Sequence, residues 1–284
     1  MKNFFLGAVA PTLLLGTGSI TRAVLSEVRQ CSTVFLRRQG EALRGRRGDR
    51  SGAAGLPTML CMAFVYLVRH GQASFLANDY DQLSARGRAQ AGLLGALWRE
   101  QGPPFDAVWT GTLRRHEQTL AALSEELPGL PPPQATPALN EYDAEALLRA
   151  LQPAPVRPPK DTAEGYRAYF VHLRQALGQW MDGALAPPEL GTFVAFRQAL
   201  VHWLQQQQDG TERRVLVVSS GGPISTLVGH VLGVTPATMV DLNFQMRNTA
   251  VSTLLASRSR CQLLSFNELP HLQQRTHRTL LTSA

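Results

Sequence analysis

The sequence predicts an α/β fold, a three-layer α/β/α sandwich around a mostly parallel sheet. Two apolar runs at residues 64–68 and 215–218 are rich in β-branched and aromatic side chains, which indicates short buried strands. From Ala63 onward, strand patterns alternate with helical patterns. This alternation is typical of parallel strands whose connecting helices cover both faces of a sheet.

The first helix and the second strand follow the first apolar run. Residues 88–100 have a helical pattern, and Ser84 in front of them is a residue type that caps helix N-termini. Residues 105–110 are β-prone and predict the second strand. Proline clusters at residues 128–137 and 153–159 predict connecting loops.

The second half of the chain supplies further helices and the closing strands. The strand at residues 215–218 runs into Ser-Ser-Gly-Gly-Pro, and Pro223 suits the first turn of a helix that begins near Ile224. No internal repeat is visible. The remaining predicted segments are helices at 113–126, 140–150, 163–181 and 193–207 and strands at 249–256 and 262–266.

The composition predicts three parts along the chain. Residues 37–52 are rich in Arg and Gly and lack apolar periodicity, so we expect them to be disordered. The strand and helix pattern begins only after them. The predicted parts are an N-terminal extension at 1–62, a folded domain at 63–270 and a C-terminal tail at 271–284.

Two interpretations of the extension stay open. Residues 4–15 are apolar and follow Lys2, which fits a secretory signal or a membrane anchor. The other interpretation is an upstream extension, with the real start at Met59 or Met62, a few residues before the first strand. We favour the second interpretation.

The charge distribution argues against nucleic-acid binding. The chain has 28 Lys and Arg and 21 Asp and Glu, a formal net charge of +7. Nine of the basic and three of the acidic residues lie within residues 1–62, which leaves 19 and 18 for the rest of the chain. A nucleic-acid-binding domain needs a basic stripe on its folded surface, and a nearly neutral body does not supply one.

The cysteines favour a reducing compartment. Cys31, Cys61 and Cys261 are scattered and form no C-x-x-C pair, so neither a disulfide framework nor a zinc site is expected. We therefore expect a cytoplasmic protein with no stable membrane partner. An exported or membrane-anchored protein is the alternative if residues 1–20 act as a signal.

Chemically active side chains follow the first two predicted strands. Arg69 and His70 come directly after the first strand, and Gly71 allows an anion to approach the backbone closely. Arg115 lies just beyond the second strand, in the first turns of a helix. If the strands are parallel, these residues emerge at the sheet edge where ligands bind in open α/β folds.

Further candidate site residues are expected at the same edge of the sheet. Glu141 begins the helix after the first proline-rich loop, and Ser220 and Gly221 follow the strand at residues 215–218. Arginines bind phosphate oxygens bidentately, and a helix N-terminus offers N–H groups to an anion. A histidine can attack phosphorus, and a carboxylic acid can protonate the departing alcohol. The set suits a phosphate monoester.

Four segments together resemble the histidine phosphatase superfamily, the phosphoglycerate mutase-like fold. A lone Arg-His-Gly triplet is weak evidence, whereas four segments in the family's order and spacing are strong evidence. The segments are Leu67–Gln72, with the Arg-His-Gly signature; Leu83–Ala91, similar to L-[ST]-x-x-G-x-x-Q-A; Leu113–Thr119, which contains the second phosphate arginine; and Val217–Ile224, similar to V-[ST]-H-G-G-x-I.

The resemblance implies a mechanism through a phosphohistidine. His70 would accept the phosphoryl group, Arg69 and Arg115 would hold its oxygens, and Glu141 would be the proton donor. Water would then hydrolyse the phosphohistidine, with no metal and no other cofactor. The expected partner is a small phosphorylated substrate, and a homodimer stays open.

Ser220 departs from the family pattern, which has its second active-site histidine at this place. A serine donates one hydrogen bond and carries no charge. Loss of a charged donor costs about 1.5–3 kcal/mol, or roughly 10²–10³-fold in rate at the severe end. None of the other histidines lies in this turn, and His116 is expected to face solvent or the rim of the phosphate site.

Two functions of different classes therefore stay open. The first is a metal-independent phosphatase that hydrolyses phosphate monoesters through His70, with attenuated activity. The second is a weakened or inactive relative that binds phosphorylated ligands. A phosphoglycerate mutase ranks third, because a mutase must retain its phosphohistidine and this chain lacks one phosphate-holding histidine. Residues 128–191 are expected to form the cap that sets substrate choice.

Overall fold

One six-stranded sheet forms the centre of the fold in this computed structural model, which describes residues 62–73, 81–101, 105–153, 162–209 and 211–283. The strand order is β3-β2-β4-β1-β5-β6, and the pairings among β3, β2, β4 and β1 are parallel. β5 and β6 are antiparallel additions at one side. The strands are β1 Ala63–Arg69, β2 Ala107–Thr110, β3 Gln134–Ala135, β4 Arg213–Ser219, β5 Val251–Ala256 and β6 Cys261–Glu268.

Seven α-helices accompany the sheet in the described ranges, and none of them is long and apolar enough to cross a membrane. The mostly parallel sheet with helices confirms the predicted α/β class. The helices are α1 Ala85–Gln101, α2 Arg114–Glu126, α3 Ala144–Ala150, α4 Ala163–Met181, α5 Phe193–Gln206, α6 Gly221–Leu232 and α7 Pro236–Gln245.

The chain divides into two units between Thr58 and Met59, and the described residues belong to the second unit. The predictions of a disordered segment, of a signal or anchor and of a later start all fall on residues 1–62. All but Met62 of that stretch lie outside the described residues.

Three differences separate the observed elements from the predicted ones. The helix expected at Asn140 begins only at Ala144, because the Asp143 carboxylate accepts the Ala146 N–H at 3.0 Å and caps it there. α6 begins at Gly221 rather than near Ile224. Strand β3 and helix α7 were not predicted from the sequence.

The sheet is buried on both faces. Val215 and Val217 of β4 pack in a core with Leu200 of α5 and Leu227 of α6. Leu216 and Val218, on the other face of β4, pack in a second core with Leu94 of α1 and Leu123 of α2. Because both faces are covered, the strands are continuous apolar runs rather than alternating ones. The three layers predicted from the sequence are present.

A third core lies in the part of the chain expected to form the cap. It joins α3, α4 and α7 through Leu147, Trp180 and Met239. The Trp180 indole N–H donates to the Gly191 carbonyl at 2.9 Å. Tyr142, which lies beside the site described below, belongs to this core and connects the site to it.

The segment after β6 returns to the start of α1. The Gln90 amide donates to the Leu280 carbonyl at 2.6 Å and to Thr282 Oγ1 at 2.8 Å. Thr282 Oγ1 in turn donates to Asn248 Oδ1 at 2.9 Å. The residues predicted as a tail therefore contact two side chains that support the site.

Candidate active site

Three parallel strands end side by side at one edge of the sheet. After β1, the His70 N–H donates to the Ser219 carbonyl at 2.8 Å. After β2, the Gly111 N–H donates to the Val218 carbonyl at 3.1 Å. These bonds extend the ladders by one residue and fix the backbone at the start of each loop. His70 and Ser220 directly follow β1 and β4, and Arg69 is the last residue of β1. Arg115 and Gly221 lie in the first turns of α2 and α6, and Glu141 comes from the loop before α3.

The His70 ring is buried and is held by one hydrogen bond. Its Nδ1 lies 2.7 Å from the Gly71 carbonyl oxygen, and only a protonated nitrogen can donate to that oxygen. The proton is therefore assigned to Nδ1, which leaves the lone pair on Nε2. Burial, followed by the positive charges of Arg115 and Arg69, holds the pKa of His70 well below its usual value. The ring is thus neutral, with a nucleophilic Nε2.

Side chains from the family-like segments hold the His70 loop in place. The Gly71 N–H donates to Thr119 Oγ1 at 3.0 Å. The Gln72 N–H donates to Gln90 Oε1 at 2.9 Å. The Asn248 amide donates to the His70 carbonyl at 3.1 Å. The Thr and Gln of the sequence motifs therefore support the His70 loop through its backbone.

Arg69 and Arg115 are buried positive charges next to His70. Arg69 Nη1 donates to the Met246 carbonyl. Arg115 Nη1 forms an ion pair with Asp81 Oδ1 at 2.7 Å. A buried guanidinium is costly unless an acceptor faces it, and its fork of N–H groups matches a phosphate. The two arginines give the site a fixed positive potential.

Asp81 is a site residue that the sequence did not reveal. Besides the Arg115 side chain, its carboxylate accepts the backbone N–H of Arg114 at 2.8 Å, and that of Arg115 at 3.4 Å. A carboxylate that accepts N–H groups of the first turn stabilises the start of α2. Asp81 therefore fixes both the start of the helix and the guanidinium that projects from it.

Glu141 lies in the loop before α3, which corrects the prediction that it begins a helix. Its two carboxylate oxygens lie 3.1 and 3.2 Å from the Gly222 backbone nitrogen, which donates to them. Burial raises the pKa of Glu141, and this effect outweighs the lowering by Arg115 and by the Gly222 N–H. Glu141 therefore keeps a proton to higher pH than an ordinary glutamate.

Ser220 is fully buried, and its hydroxyl contacts a histidine from another helix. Ser220 Oγ lies 2.6 Å from Nε2 of His116 in the first turn of α2. The prediction that His116 faces solvent or the site's rim was wrong, since this side chain is also fully buried. The centroids of the His116 and His70 rings are 5.7 Å apart. The site therefore contains a second imidazole.

Two other groups of the turn after β4 have defined surroundings. The Ser219 hydroxyl donates its proton to the Leu139 carbonyl at 2.7 Å. It therefore does not replace the missing phosphate donor. Gly221 lies next to Arg69, since a Cβ built on Gly221 would be 3.8 Å from Arg69 Nε. The Tyr142 hydroxyl accepts the Asn243 amide at 2.8 Å nearby.

The structure thus brings all six predicted site residues together around the ends of β1, β2 and β4. The arrangement combines a neutral imidazole with a lone pair, two buried arginines, a carboxyl group with a raised pKa and a helix N-terminus. Within the part of the chain that the structure describes, no group of three or more His, Cys, Asp or Glu side chains could hold a metal ion.

A comparison of the sequence with protein families identifies this arrangement. Residues 65–269 match the profile of the histidine phosphatase superfamily (branch 1). The chain belongs to the histidine phosphatase superfamily.

The chain is similar to a curated relative over part of its length. It is 34% identical over 119 residues to 2,3-bisphosphoglycerate-dependent phosphoglycerate mutase 1 of Lactobacillus johnsonii. The match covers 39% of this chain and spans only about half of the relative, 49% of its length.

Solved structures of the same fold cover most of this chain. Bacillus stearothermophilus YhfR has a TM-score of 0.54 and 19% identity, with coverage of 74% of this chain and 98% of that chain. Phosphoglycerate mutase from Bacillus anthracis has a TM-score of 0.52 and 17% identity, with 76% and 97% coverage. An Escherichia coli K-12 protein provisionally described as an alpha-ribazole-5'-P phosphatase has a TM-score of 0.51 and 22% identity, with 72% and 96% coverage. At these identities the likeness shows the fold alone.

Gly222 of this superfamily member is expected not to tolerate a side chain. A Cβ at this position would collide with Glu141 Oε1 and lie 2.7 Å from Tyr142 Cδ1. We expect Gly222→Ala to displace the Glu141 carboxyl group and to lower the free energy of unfolding by about 1–3 kcal/mol. Chemical denaturation measures the change.

Gly178→Ala is the matched control for this substitution. Gly178 lies inside α4, and a Cβ there would meet nothing within 4 Å. Because alanine suits a helix interior better than glycine, the control is expected to be neutral or to gain about 0.5–1 kcal/mol. Equal stability of the two variants would contradict the close contact at Gly222.

Proposed function

We propose that this chain is a metal-independent phosphatase that hydrolyses phosphate monoesters through a phosphohistidine on His70. Membership of the superfamily supports a phosphatase-type enzyme. The observation that carries the proposal is the hydrogen bond between His70 Nδ1 and the Gly71 carbonyl at 2.7 Å. It leaves the Nε2 lone pair beside two buried arginines, which suits attack on an anionic phosphoryl group.

In the first proposed step, His70 Nε2 attacks phosphorus and the ester P–O bond breaks. The Glu141 carboxyl proton goes to the departing oxygen, so the leaving group is a neutral alcohol. His70 Nδ1 keeps its proton and its bond to the Gly71 carbonyl, and the phosphorylated ring is then positively charged. Arg69 and Arg115 stabilise the charge that develops on the phosphoryl oxygens.

In the second proposed step, water replaces the alcohol. The Glu141 carboxylate takes a proton from the water as the water oxygen attacks phosphorus. The P–N bond breaks, and its electron pair returns to His70 Nε2. The step releases inorganic phosphate and restores both the neutral ring and the protonated carboxyl group, so the cycle is closed.

The alternative proposal is a weakened or inactive family member that binds phosphorylated ligands. Ser220 favours it, because a neutral hydroxyl replaces the family's charged donor and its oxygen already contacts His116. A binder would retain a phosphate ester without converting it, whereas an enzyme would release phosphate. The mutase stays the third candidate, since the curated mutase matches over only part of its length.

The deciding experiment is a panel of phosphate esters assayed with a chelator present. The phosphatase proposal predicts release of phosphate that the chelator leaves unchanged. Tight binding of the esters without turnover would support the binder instead. Turnover that disappears with the chelator would contradict the metal-independent mechanism.

The same panel addresses the substrate and its surroundings. We propose a small phosphorylated molecule as the partner, selected by the cap around Tyr142, which packs against Trp180 with ring centroids 5.8 Å apart. The proposed cytoplasmic setting rests on the scattered cysteines, of which Cys261 is a free thiol. Preference for one ester over others by kcat/KM would identify the substrate class.

The pKa shifts predict an acidic optimum for alkyl phosphates. Protonation of His70 removes its lone pair, and because its pKa lies well below 6.5, activity should fall only at lower pH. Deprotonation of Glu141 removes the proton donor, and because its pKa is raised above 4.5, activity should persist above that value and then decline. The pH profile of kcat/KM measures both limbs.

Glu141→Gln is the control for this pH profile. The substituted enzyme should lose the alkaline limb that belongs to Glu141. A limb that stays in the variant would belong to the substrate, whose own second phosphate pKa is about 6. An acid limb centred at or above pH 6.5 would contradict the neutral state of His70.

A further inference from the structure

The second imidazole of the site comes from an unexpected element. The family resemblance has a histidine at the place of Ser220, on the turn before α6, whereas here the ring belongs to His116 on α2. The two residues are 104 positions apart in sequence, and both are fully buried. Their contact of 2.6 Å between Nε2 and Oγ is therefore a tertiary contact made inside the site.

The Ser220 hydroxyl lies at the N-terminus of α6, among the groups of the proposed phosphate site. Ser220 is the residue before the first turn of α6, directly in front of the Gly221 N–H, while the Gly222 N–H donates to Glu141. Arg69 reaches the same turn, and His70 donates its backbone N–H to the residue before Ser220. A hydroxyl at this point adds a donor to the anion-binding end of the helix.

The proton of the pair can be assigned from His116. Burial, followed by the charge of Arg115, lowers the pKa of His116 to about 3, so the ring is neutral and has one N–H. Its Nδ1 is buried and has no hydrogen-bond partner among the described residues. An unpaired buried N–H is rarer and more costly than an unpaired acceptor. The proton is therefore assigned to Nε2, which donates to Ser220 Oγ.

We propose that His116 takes over, through Ser220, the place of the family's second histidine. His116 Nε2–H donates to Ser220 Oγ, and the Ser220 O–H donates to a phosphoryl oxygen of the substrate. The chain of two bonds polarises the hydroxyl and makes it a stronger donor than a lone serine. His116 is a positioning residue and Ser220 is the phosphate ligand. The inference rests on the proposed function, because the ligand is the phosphoryl group that His70 attacks.

The test is a double-mutant cycle on phosphate binding. The variants are His116→Phe, Ser220→Ala and the double variant, and the readouts are the Kd of orthophosphate by calorimetry and kcat with an aryl phosphate. We expect each single variant to weaken orthophosphate binding about tenfold, and the double variant to be no weaker than either one. Unchanged binding in His116→Phe, or effects that multiply in the double variant, would overturn the proposal.

Conservative substitution separates positioning from packing. His116→Gln places an amide N–H near the position of Nε2, so we expect it to bind orthophosphate within about threefold of the wild type. Both His116→Phe and His116→Gln change core packing, and thermal unfolding reports that change separately. If His116→Phe does not fold, His116→Ala, which also removes the hydrogen bond to Ser220, is compared in the Ser220 and Ser220→Ala backgrounds. An equal cost in both backgrounds would contradict the coupling.

Moving the imidazole from position 116 on α2 to position 220 before α6 provides a second, independent test. Ser220→His alone forces a ring against His116, so we expect weaker binding than in the wild type. Adding His116→Ala makes room, and the double variant should bind orthophosphate at least as well as the wild type. A gain from Ser220→His alone would mean that position 220 is only an attenuated donor and would overturn the role of His116.

These outcomes distinguish the pair from the proposed function. Coupled effects of the two substitutions on orthophosphate binding, without any turnover, would support the His116–Ser220 pair and contradict the phosphatase function. Turnover that depends on His70, together with independent effects of the two substitutions on binding, would support the phosphatase function and contradict the pair. Absence of orthophosphate binding to the wild type would overturn both.

Discussion

His70→Ala is expected to lower turnover of phosphate esters by more than about 10³-fold, because no other group in the site replaces the nucleophile. His70 Nε2 has its lone pair only because Nδ1 is bonded to Gly71, and the His116 ring, 5.7 Å away between centroids, is engaged with Ser220. Phosphate binding should survive, since Arg69 and Arg115 remain. Steady-state assay of an aryl phosphate measures the loss, and rapid quench with a labelled ester detects the acid-labile phosphohistidine.

His202→Ala is the matched control for this prediction. His202 is exposed on α5 and contacts Gln206 of the same helix, so its removal should leave the rate unchanged. A phosphorylated intermediate that persists in His70→Ala would assign the nucleophile to another residue. Equal rates in His70→Ala and the wild type would refute the mechanism altogether.

Glu141→Gln is expected to lower the rate with alkyl phosphates by about 10²–10⁴-fold, the contribution of a general acid. The effect on an aryl phosphate should be much smaller, because an aryl leaving group departs without a proton. The amide oxygen of glutamine still accepts the Gly222 N–H, whose distances to the carboxylate oxygens are 3.1 and 3.2 Å, so the loop should keep its place. Comparison of kcat for the two ester classes measures the difference.

The control for this substitution is Glu164→Gln, an exposed carboxylate in the first turn of α4. It should leave both ester classes unaffected. A loss of equal size for alkyl and aryl esters in Glu141→Gln would mean that Glu141 supports the fold of the site rather than donating a proton.

The strands and the nucleophile loop were predictable because their signals are local. Buried strands of a doubly covered sheet are apolar throughout, and Val215–Val218 shows this without reference to any partner. α4 was predicted with its observed bounds, since Thr162 caps it and an amphipathic pattern continues to Met181. His70 and Arg69 follow from the strand end that precedes them.

Other features depend on partners that are far away in sequence. β3 has two residues and forms only because β2 is beside it. Glu141 lies in a loop, and its carboxylate is held by the Gly222 N–H, 81 positions later in the chain. The burial of His116 requires the space beside Gly111, where an added Cβ would collide with the ring. The local sequence pattern of a segment does not report contacts with residues this far away in the chain.

The hydrogen bonds that reach the His70 loop from the far end of the chain have a consequence for protein synthesis. Gln90 holds Gln72 on one side and Leu280 on the other, a partner that is translated 190 residues later than Gln90. Asn248, which holds the His70 carbonyl, is itself bonded to Thr282. While the chain is still emerging from the ribosome, the His70 loop lacks these supports. The complete set of hydrogen bonds can form only when residues 280–282 have been made.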